Sequence, residues 1–345
     1  MENIAELKTL LSTPKKIVIV SHRNPDGDAI GSSLGLKHFL TQLDHKVTVA
    51  FPSEFPDFVS FLPEANRILI HDNNPDFVEN ALEGSDIIFC LDFNSLSRID
   101  SIGDFIRAKC QDKVKVLIDH HLEPEAFAQF TLSQTKASST AELIYVFIEM
   151  LGYEHLVNKE LGTCLFTGIL TDTGSFKYST SPRLYQIAAK LKEAGVDDYA
   201  LQFELFNAQT EKQLRLLSFC LSTDSMQIFD EYNAGIIVLN KRDYEYFNIQ
   251  RGDTEGIVNF ILKIKNIRFA ALITEQPKIV KLSLRSKGDF SVQEIAQKYF
   301  KGGGHKNAAG GISYAPLRST VEKFKKILPE YKEALTKEDT TMTIV

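Results

Sequence analysis

The chain has 345 residues, 43% hydrophobic and 24% charged, which excludes a disordered or fibrous polymer and suffices for two separately packed cores. Thirty-nine basic against forty-five acidic residues leave a net charge of −6, arguing against a broad basic surface for long duplex nucleic acid but not against a small anion in a local pocket. Cys90, Cys110, Cys164 and Cys220 form no CxxC pair, the opening MENIAELKTLLSTPKK is no secretion signal, and no segment reaches the roughly 18 apolar residues of a membrane span. The expectation is a cytoplasmic protein with no membrane partner.

From the amino terminus, β-branched runs alternate with helical patterns: KKIVIVSH, DAIGSSLGLKHFLTQL, KVTVAF, SDIIFCLDF and KVKVLIDHH. That rhythm predicts an α/β fold whose first domain holds a parallel sheet with crossover helices, and ligands gather beyond the carboxyl ends of such strands. SSTAELIYVFIEMLG predicts a helix with a capping box of Ser139 and Glu142, KELGTCLFTGILTDTG a mostly buried helix ending near Gly174, and SPRLYQIAAKLKEAG a third. Residues 196–225 are helical but more polar and predict a connector between a first domain, 1–195, and a smaller α/β domain, 226–345. The latter carries strand patterns AGIIVLN, RFAALITE and KIVKLSLRS and helical patterns TEGIVNFILKI and SVQEIAQKYF, and the tail TKEDTTMTIV is expected to fray.

Three predicted strands of the first domain end on metal-ligating residues. SHRNPDGDAIGS delivers His22, Asp26 and Asp28 to one strand end, IIFCLDF delivers Asp92, and KVKVLIDHH delivers Asp119, His120 and His121. Either early aspartate alone could be a helix cap, and a histidine pair alone is more often structural. A buried carboxylate after an apolar run is costly unless something positive meets it, and three strand ends on one sheet edge make coincidence the weaker reading. Gly27 permits a tight backbone between the acids, and Gly31 with Ser32 permits close approach of the helix to a ligand. Asp172, near the end of an apolar helix, completes the set His22, Asp26, Asp28, Asp92, His120 and Asp172. Carboxylates and imidazoles without thiolate suit Mn²⁺ or a similar ion, and the surplus of ligands suggests two.

The distal domain adds Arg285 and Lys287, able to grip phosphate oxygens, and a run Gly302, Gly303, Gly304 and His305 whose backbone amides could approach an anion. The small residues Ala308, Ala309 and Gly310 are expected to continue into a tightly packed helix. Phe176, Tyr178 and Phe290 lie close to these motifs and could stack a base, although core packing is the readier account of a phenylalanine in a chain with 24 of them.

The motifs HRNPDGDAIGS, LDF at Asp92, DHH at Asp119 to His121, TDTGSF at Asp172 and GGGHKNAAGG span nearly the whole chain. Together they resemble the DHH phosphoesterases, and within them the bacterial nanoRNase/pAp phosphatase (NrnA-like) group. The resemblance implies an amino-terminal DHH domain, a helical connector and a DHH-associated domain closing over an interdomain cleft that holds the active site. It implies one Mn²⁺ on His22, Asp26 and Asp92 and another on Asp28, Asp92, His120 and Asp172; Mg²⁺ or Co²⁺ are alternatives because carboxylate-rich sites bind several ions. It also implies catalytic His121 facing the scissile phosphate, Asp119 orienting the imidazoles beside it, and substrate binding by Arg285, Ser286, Gly302, Gly303, Gly304 and His305. Where the family usually has four glycines, this chain has Lys301 and three.

The implied activity is hydrolysis of short single-stranded oligoribonucleotides and dinucleotides to mononucleotides, and dephosphorylation of 3′-phosphoadenosine 5′-phosphate (pAp), by a homodimer. Rival readings are an inorganic polyphosphatase or pyrophosphatase, a cyclic-dinucleotide phosphodiesterase, a sensor that binds without cleaving, and a processive exonuclease like the RecJ group. The sensor need not keep six ligands, and the exonuclease would need a longer basic channel.

Overall fold

The computed structural model describes residues 1, 3–250 and 252–337, so all but the first two residues of the expected fraying tail lie outside the described residues. It divides into two compact units, Met1–Ala208 and a second beginning at Gln209, with the boundary inside the segment expected as a connector. Among the described residues no helix is long and apolar enough to cross a membrane.

The first unit runs α1 (Ile4–Leu10), β1 (Lys16–Ser21), α2 (Gly27–Gln42), β2 (Lys46–Phe51), β3 (Leu69–Ile70), α3 (Pro75–Glu83), β4 (Ile87–Leu91) and α4 (Asp100–Lys109). It continues with β5 (Val114–Asp119), β6 (Phe130–Ser133), α5 (Thr140–Leu151), α6 (Lys159–Asp172), α7 (Pro182–Glu193) and α8 (Asp198–Gln202). The strands form one six-stranded sheet, ordered β3-β2-β1-β4-β5-β6, and every pairing is parallel. Strands covered on both faces read as near-continuous β-branched runs, and β1 shows why. Its Ile17 and Ile19 pack into the core shared with α2, α5, α6 and α7, whereas Val18 and Val20 pack into the core under α3 and α4. The edge strands β3 and β6 escape sequence pattern because they have two and four residues.

Helix α5 starts as expected at Ser139, whose Oγ accepts from Glu142 N at 3.1 Å. The capping box is only half formed, because Glu142 Oε2 accepts from Ser138 N at 2.7 Å rather than from the cap residue itself. The role expected for Gly31 is corrected by the packing of α2 on α6. A Cβ at Gly31 would lie 2.4 Å from the carbonyl oxygen of Cys164, so the glycine admits a neighbouring helix and not a ligand.

The second unit contains α9 (Glu211–Cys220), β7 (Met226–Phe229), β8 (Ala234–Leu239), α10 (Lys241–Tyr246), α11 (Ile257–Ile261), β9 (Phe269–Glu275) and β10 (Val280–Ser286). It ends with α12 (Val292–Phe300), β11 (Gly303–His305), β12 (Ala308–Ser313), α13 (Leu317–Ile327) and α14 (Lys332–Thr336). Its sheet, ordered β11-β12-β10-β9-β8-β7, is mixed, with β8 and β9 parallel and the other pairs antiparallel. The helix expected over Ala308–Gly310 is a strand. Two adjacent glycines, Gly310 and Gly311, disfavour a helix, and small residues here serve close backbone approach instead: a Cβ at Gly302 would lie 1.9 Å from Gly310 O.

Candidate active site

The order of the first sheet reverses direction between β1 and β4, and the following helices α2 and α4 leave to opposite faces. A crevice opens beyond the carboxyl ends of two such strands, and the ligand-bearing loops sit there. His22 follows β1 directly, Asp92 follows β4, and Asp119 is the last residue of β5, followed by His120 and His121. Asp92 holds a left-handed backbone with φ +64, uncommon for a residue with a side chain and typical of strain kept at functional sites.

The structure brings the six candidate ligands into one cluster. His22 Nε2 lies 3.4 Å from Asp92 Oδ2 and 3.9 Å from Asp26 Oδ1. His120 Nε2 lies 3.6 Å from Asp92 Oδ1 and 3.3 Å from Asp172 Oδ2. Asp28 joins through Asp92 and His120, with donor atoms all within 4.8 Å of one another. Asp92 is common to both groups.

Each imidazole is oriented from behind. A carbonyl oxygen can only accept, so His22 Nδ1 donates to Arg23 O at 3.0 Å and His120 Nδ1 to Ala137 O at 3.3 Å, which turns both Nε2 atoms toward the cluster. His121 Nδ1 donates to Asp119 Oδ1 at 2.7 Å, so Asp119 orients one of the two imidazoles, not both.

The carboxylates do double duty. Asp26 is the amino-terminal cap of α2, accepting from Asp28 N and Ala29 N, so its capping and site readings coexist. Fully buried Asp28 caps a second helix: Thr140 N donates to its Oδ2 at 2.6 Å and Ala141 N to its Oδ1 at 2.9 Å. Thr140 Oγ1 also donates to Asp92 Oδ1 at 2.9 Å. Sequence reading passed over Thr140, since a threonine at a helix start looks like any cap. It also passed over Gly168 of α6, where a Cβ would lie 2.6 Å from Asp28 Oδ1.

Burial pushes the Asp28 carboxyl well above its ordinary value, aided by the charges of Asp92 and Asp26 and opposed by the two backbone donors. Burial, with Asp28, Asp26 and Asp92 around it, does the same to Asp172. Burial acts in that sense on Asp92 too, but hydrogen bonding to His22 and the neighbouring His22, His121 and His120 outweigh it and hold Asp92 below the usual carboxylate range. Among the described residues no lysine or arginine pairs with Asp28, Asp92 or Asp172. Lysine and arginine stay outside: Arg23 ties the His22–Asp26 loop to Asp72 at 2.8 Å through both terminal nitrogens, and to Asp100.

In the second unit, Arg285, Ala308 and His305 stand opposite one another on β10, β12 and β11, a row that puts Arg285 and His305 on the same face of the sheet. Ser286, next along β10, takes the other face, where its Oγ donates to Phe290 O at 2.6 Å and accepts from Asn307 Nδ2 at 2.8 Å. Ser286 is thus set apart from Arg285 and His305, and Asn307, unnoticed in the sequence, fixes the β11–β12 turn. Gly303 and Gly304 open β11 of that hairpin, with Gly302 just before it and Gly304 at φ +140. Lys301 caps α12 at φ +46, a left-handed position that explains why glycine is usual there. Of the three aromatics weighed for stacking, Phe290 is core and Phe176 half-buried, but Tyr178 is exposed.

The DHH family, N-terminal domain, matches residues 16–169, and the DHHA1 domain matches residues 236–337. The bifunctional oligoribonuclease and PAP phosphatase NrnA of Thermus thermophilus is 30% identical over 98% of this chain and 95% of its own length. The chain belongs to the DHH family. A DHH-family relative of the same name from Bacillus subtilis is 28% identical, covering 90% of this chain and 93% of its own. The crystal structure of an exopolyphosphatase-related protein from Bacteroides fragilis superimposes with a TM-score of 0.92 at 40% identity, over 97% of both chains. This DHH-family chain is a hydrolase acting on phosphoric ester bonds.

Proposed function

We propose that the chain is a two-metal phosphoesterase that cuts short oligoribonucleotides to mononucleotides and removes the 3′-phosphate of pAp. The cluster on the ends of β1, β4 and β5 carries this reading, together with the names of the Thermus and Bacillus relatives. The donor set fits divalent cations on two counts. Donors sharing one ion at about 2.1 Å lie roughly 3.0–3.4 Å apart. The 3.3, 3.4 and 3.6 Å spacings around Asp92 and His120 are close to that. Mutually repelling buried carboxylates without a lysine or arginine are, in addition, what a cation from outside would neutralise.

His22, Asp26 and Asp92 would hold one Mn²⁺ and Asp28, Asp92, His120 and Asp172 the other; Mg²⁺ or Co²⁺ suits the same donors. When bound, the pair supplies a nucleophile at neutral pH and offsets charge on the phosphoryl oxygens. His121, held through Nδ1 by Asp119, keeps Nε2 as the atom that can hold or release a proton at the leaving oxygen. Arg285 and His305, on one face of the second sheet, would grip a substrate phosphate, with the amides of Gly302, Gly303 and Gly304 beside them. Ser286 would support them by holding the hairpin through Asn307. The partners expected are short single strands, pAp and dinucleotides.

Initial rates on pAp, the dinucleotide pApA, a much longer single-stranded RNA and pyrophosphate, each with Mn²⁺ and with chelator, test the proposal. It expects metal-dependent release of phosphate from pAp and mononucleotide from pApA, with little action on the long RNA. Fast pyrophosphate cleavage with the nucleotides untouched would move the chain to phosphoanhydride chemistry on the same cluster.

A further inference from the structure

Immediately after Asp172 the chain makes a left-handed turn: Gly174, Ser175 and Phe176 have φ of +55, +62 and +61. Two of these carry side chains and are strained, so the surroundings must hold them. Fully buried Thr173 does so, its Oγ1 donating to Ile169 O at 2.6 Å and accepting from Phe176 N at 2.9 Å. Ser175 Oγ donates to Gln202 Oε1 at 2.9 Å. Lys177 N and Tyr178 N then both donate to Thr173 O, at 2.8 and 2.9 Å, folding Tyr178 back beside the residue that follows Asp172.

The two aromatics of this turn are used differently. Phe176 lies parallel to Tyr185, 5.5 Å between centroids, and edge-on to Phe166. Tyr178 stays 60% exposed, its ring laid against Gly174, where a Cβ would come within 2.7 Å of Cε2. Glycine at that position therefore lets the ring settle with one side supported and the rest open to solvent. Core packing accounts for Phe176 but not for Tyr178, an open ring six residues after Asp172 whose peptide nitrogen is tied to Thr173 O.

We propose that Tyr178 is a stacking platform for the nucleobase of a substrate whose phosphate lies on the Asp172 side of the site. This rests on the nucleotide reading above. Stacking is tolerant of base identity because every base offers a π-face, so the platform selects nucleotides over base-free phosphates without choosing a sequence.

The test measures equilibrium binding of a pAp analogue carrying 2-aminopurine, whose fluorescence is quenched by stacking, to wild type, Tyr178→Ala and Tyr178→Phe. Hydrolysis of pAp and of the same ribose bisphosphate without its base is followed alongside. The expected result is quenching in wild type, affinity lowered roughly tenfold with quenching lost in Tyr178→Ala, and both retained in Tyr178→Phe. KM for pAp should rise in Tyr178→Ala while the base-free analogue is handled alike by all three. Equal affinity and quenching in wild type and Tyr178→Ala would overturn the platform, as would a change in Tyr178→Ala confined to oligomeric state. Should wild type bind with quenching yet hydrolyse nothing, the proposed function falls and the platform stands.

Discussion

At the scale of residues, the three imidazoles of the cluster differ in what stands behind them. His22 and His120 spend Nδ1 on carbonyl oxygens, whereas His121 spends it on the buried Asp119 carboxylate. A carboxylate behind an imidazole stabilises its protonated form and fixes its tautomer, which a carbonyl does only weakly. Asp119→Asn should therefore lower kcat for pAp by roughly 10²–10⁴-fold while leaving Mn²⁺ affinity nearly unchanged. Steady-state kinetics paired with calorimetric Mn²⁺ titration of the variant checks this; metal loss in step with activity would instead make Asp119 part of the metal-holding set. The ligand types were legible in the sequence because apolar runs ending on Asp or His are conspicuous. Thr140 was not, because its chemistry depends on a contact 112 residues away in sequence between its peptide nitrogen and Asp28.

At the scale of elements, site precision comes from helices meeting without side chains between them. α2 and α6 touch at Gly31, and Gly168 lets α6 pass directly over the Asp28 carboxylate and Ala141 of α5. Gly168→Ala places a methyl 2.6 Å from both Asp28 Oδ1 and Ala141 Cβ, neither of which can swing away. Overpacking of this kind costs about 1–3 kcal/mol, so the melting temperature should fall by several degrees, and Mn²⁺ should recover less of it than in wild type. Differential scanning calorimetry with and without metal reads both; an unchanged melting temperature would show that the helices separate freely. Long elements were legible from periodicity, while β3 and β6 were too short to show a period. The Ala308–Ser313 strand was misread as a helix because small residues signal close packing without saying which element packs.

At the scale of the whole molecule, the two units have separate sheets: the candidate metal ligands crowd one sheet end of the first, and Arg285 with His305 share one face of the second. The net charge of −6 agrees with local rather than extended anion binding. The parallel sheet was legible because its central strands β1, β4 and β5 are buried on both faces, and the reversal of strand order between β1 and β4 explains why three separate motifs converge. The shared sheet edge was legible from strand ends that finish on Asp or His; the strand order that sets β1 beside β4 was not, since it is a property of packing.

The central claim is that one buried carboxylate, Asp92, serves two ions, and calorimetric titration of the metal-stripped protein with Mn²⁺, compared with Asp92→Ala, tests it most directly. Two ions per chain in wild type, with both sites weakened in Asp92→Ala and activity abolished, is the predicted result. Two undiminished sites in Asp92→Ala, or full activity in that variant, would contradict it.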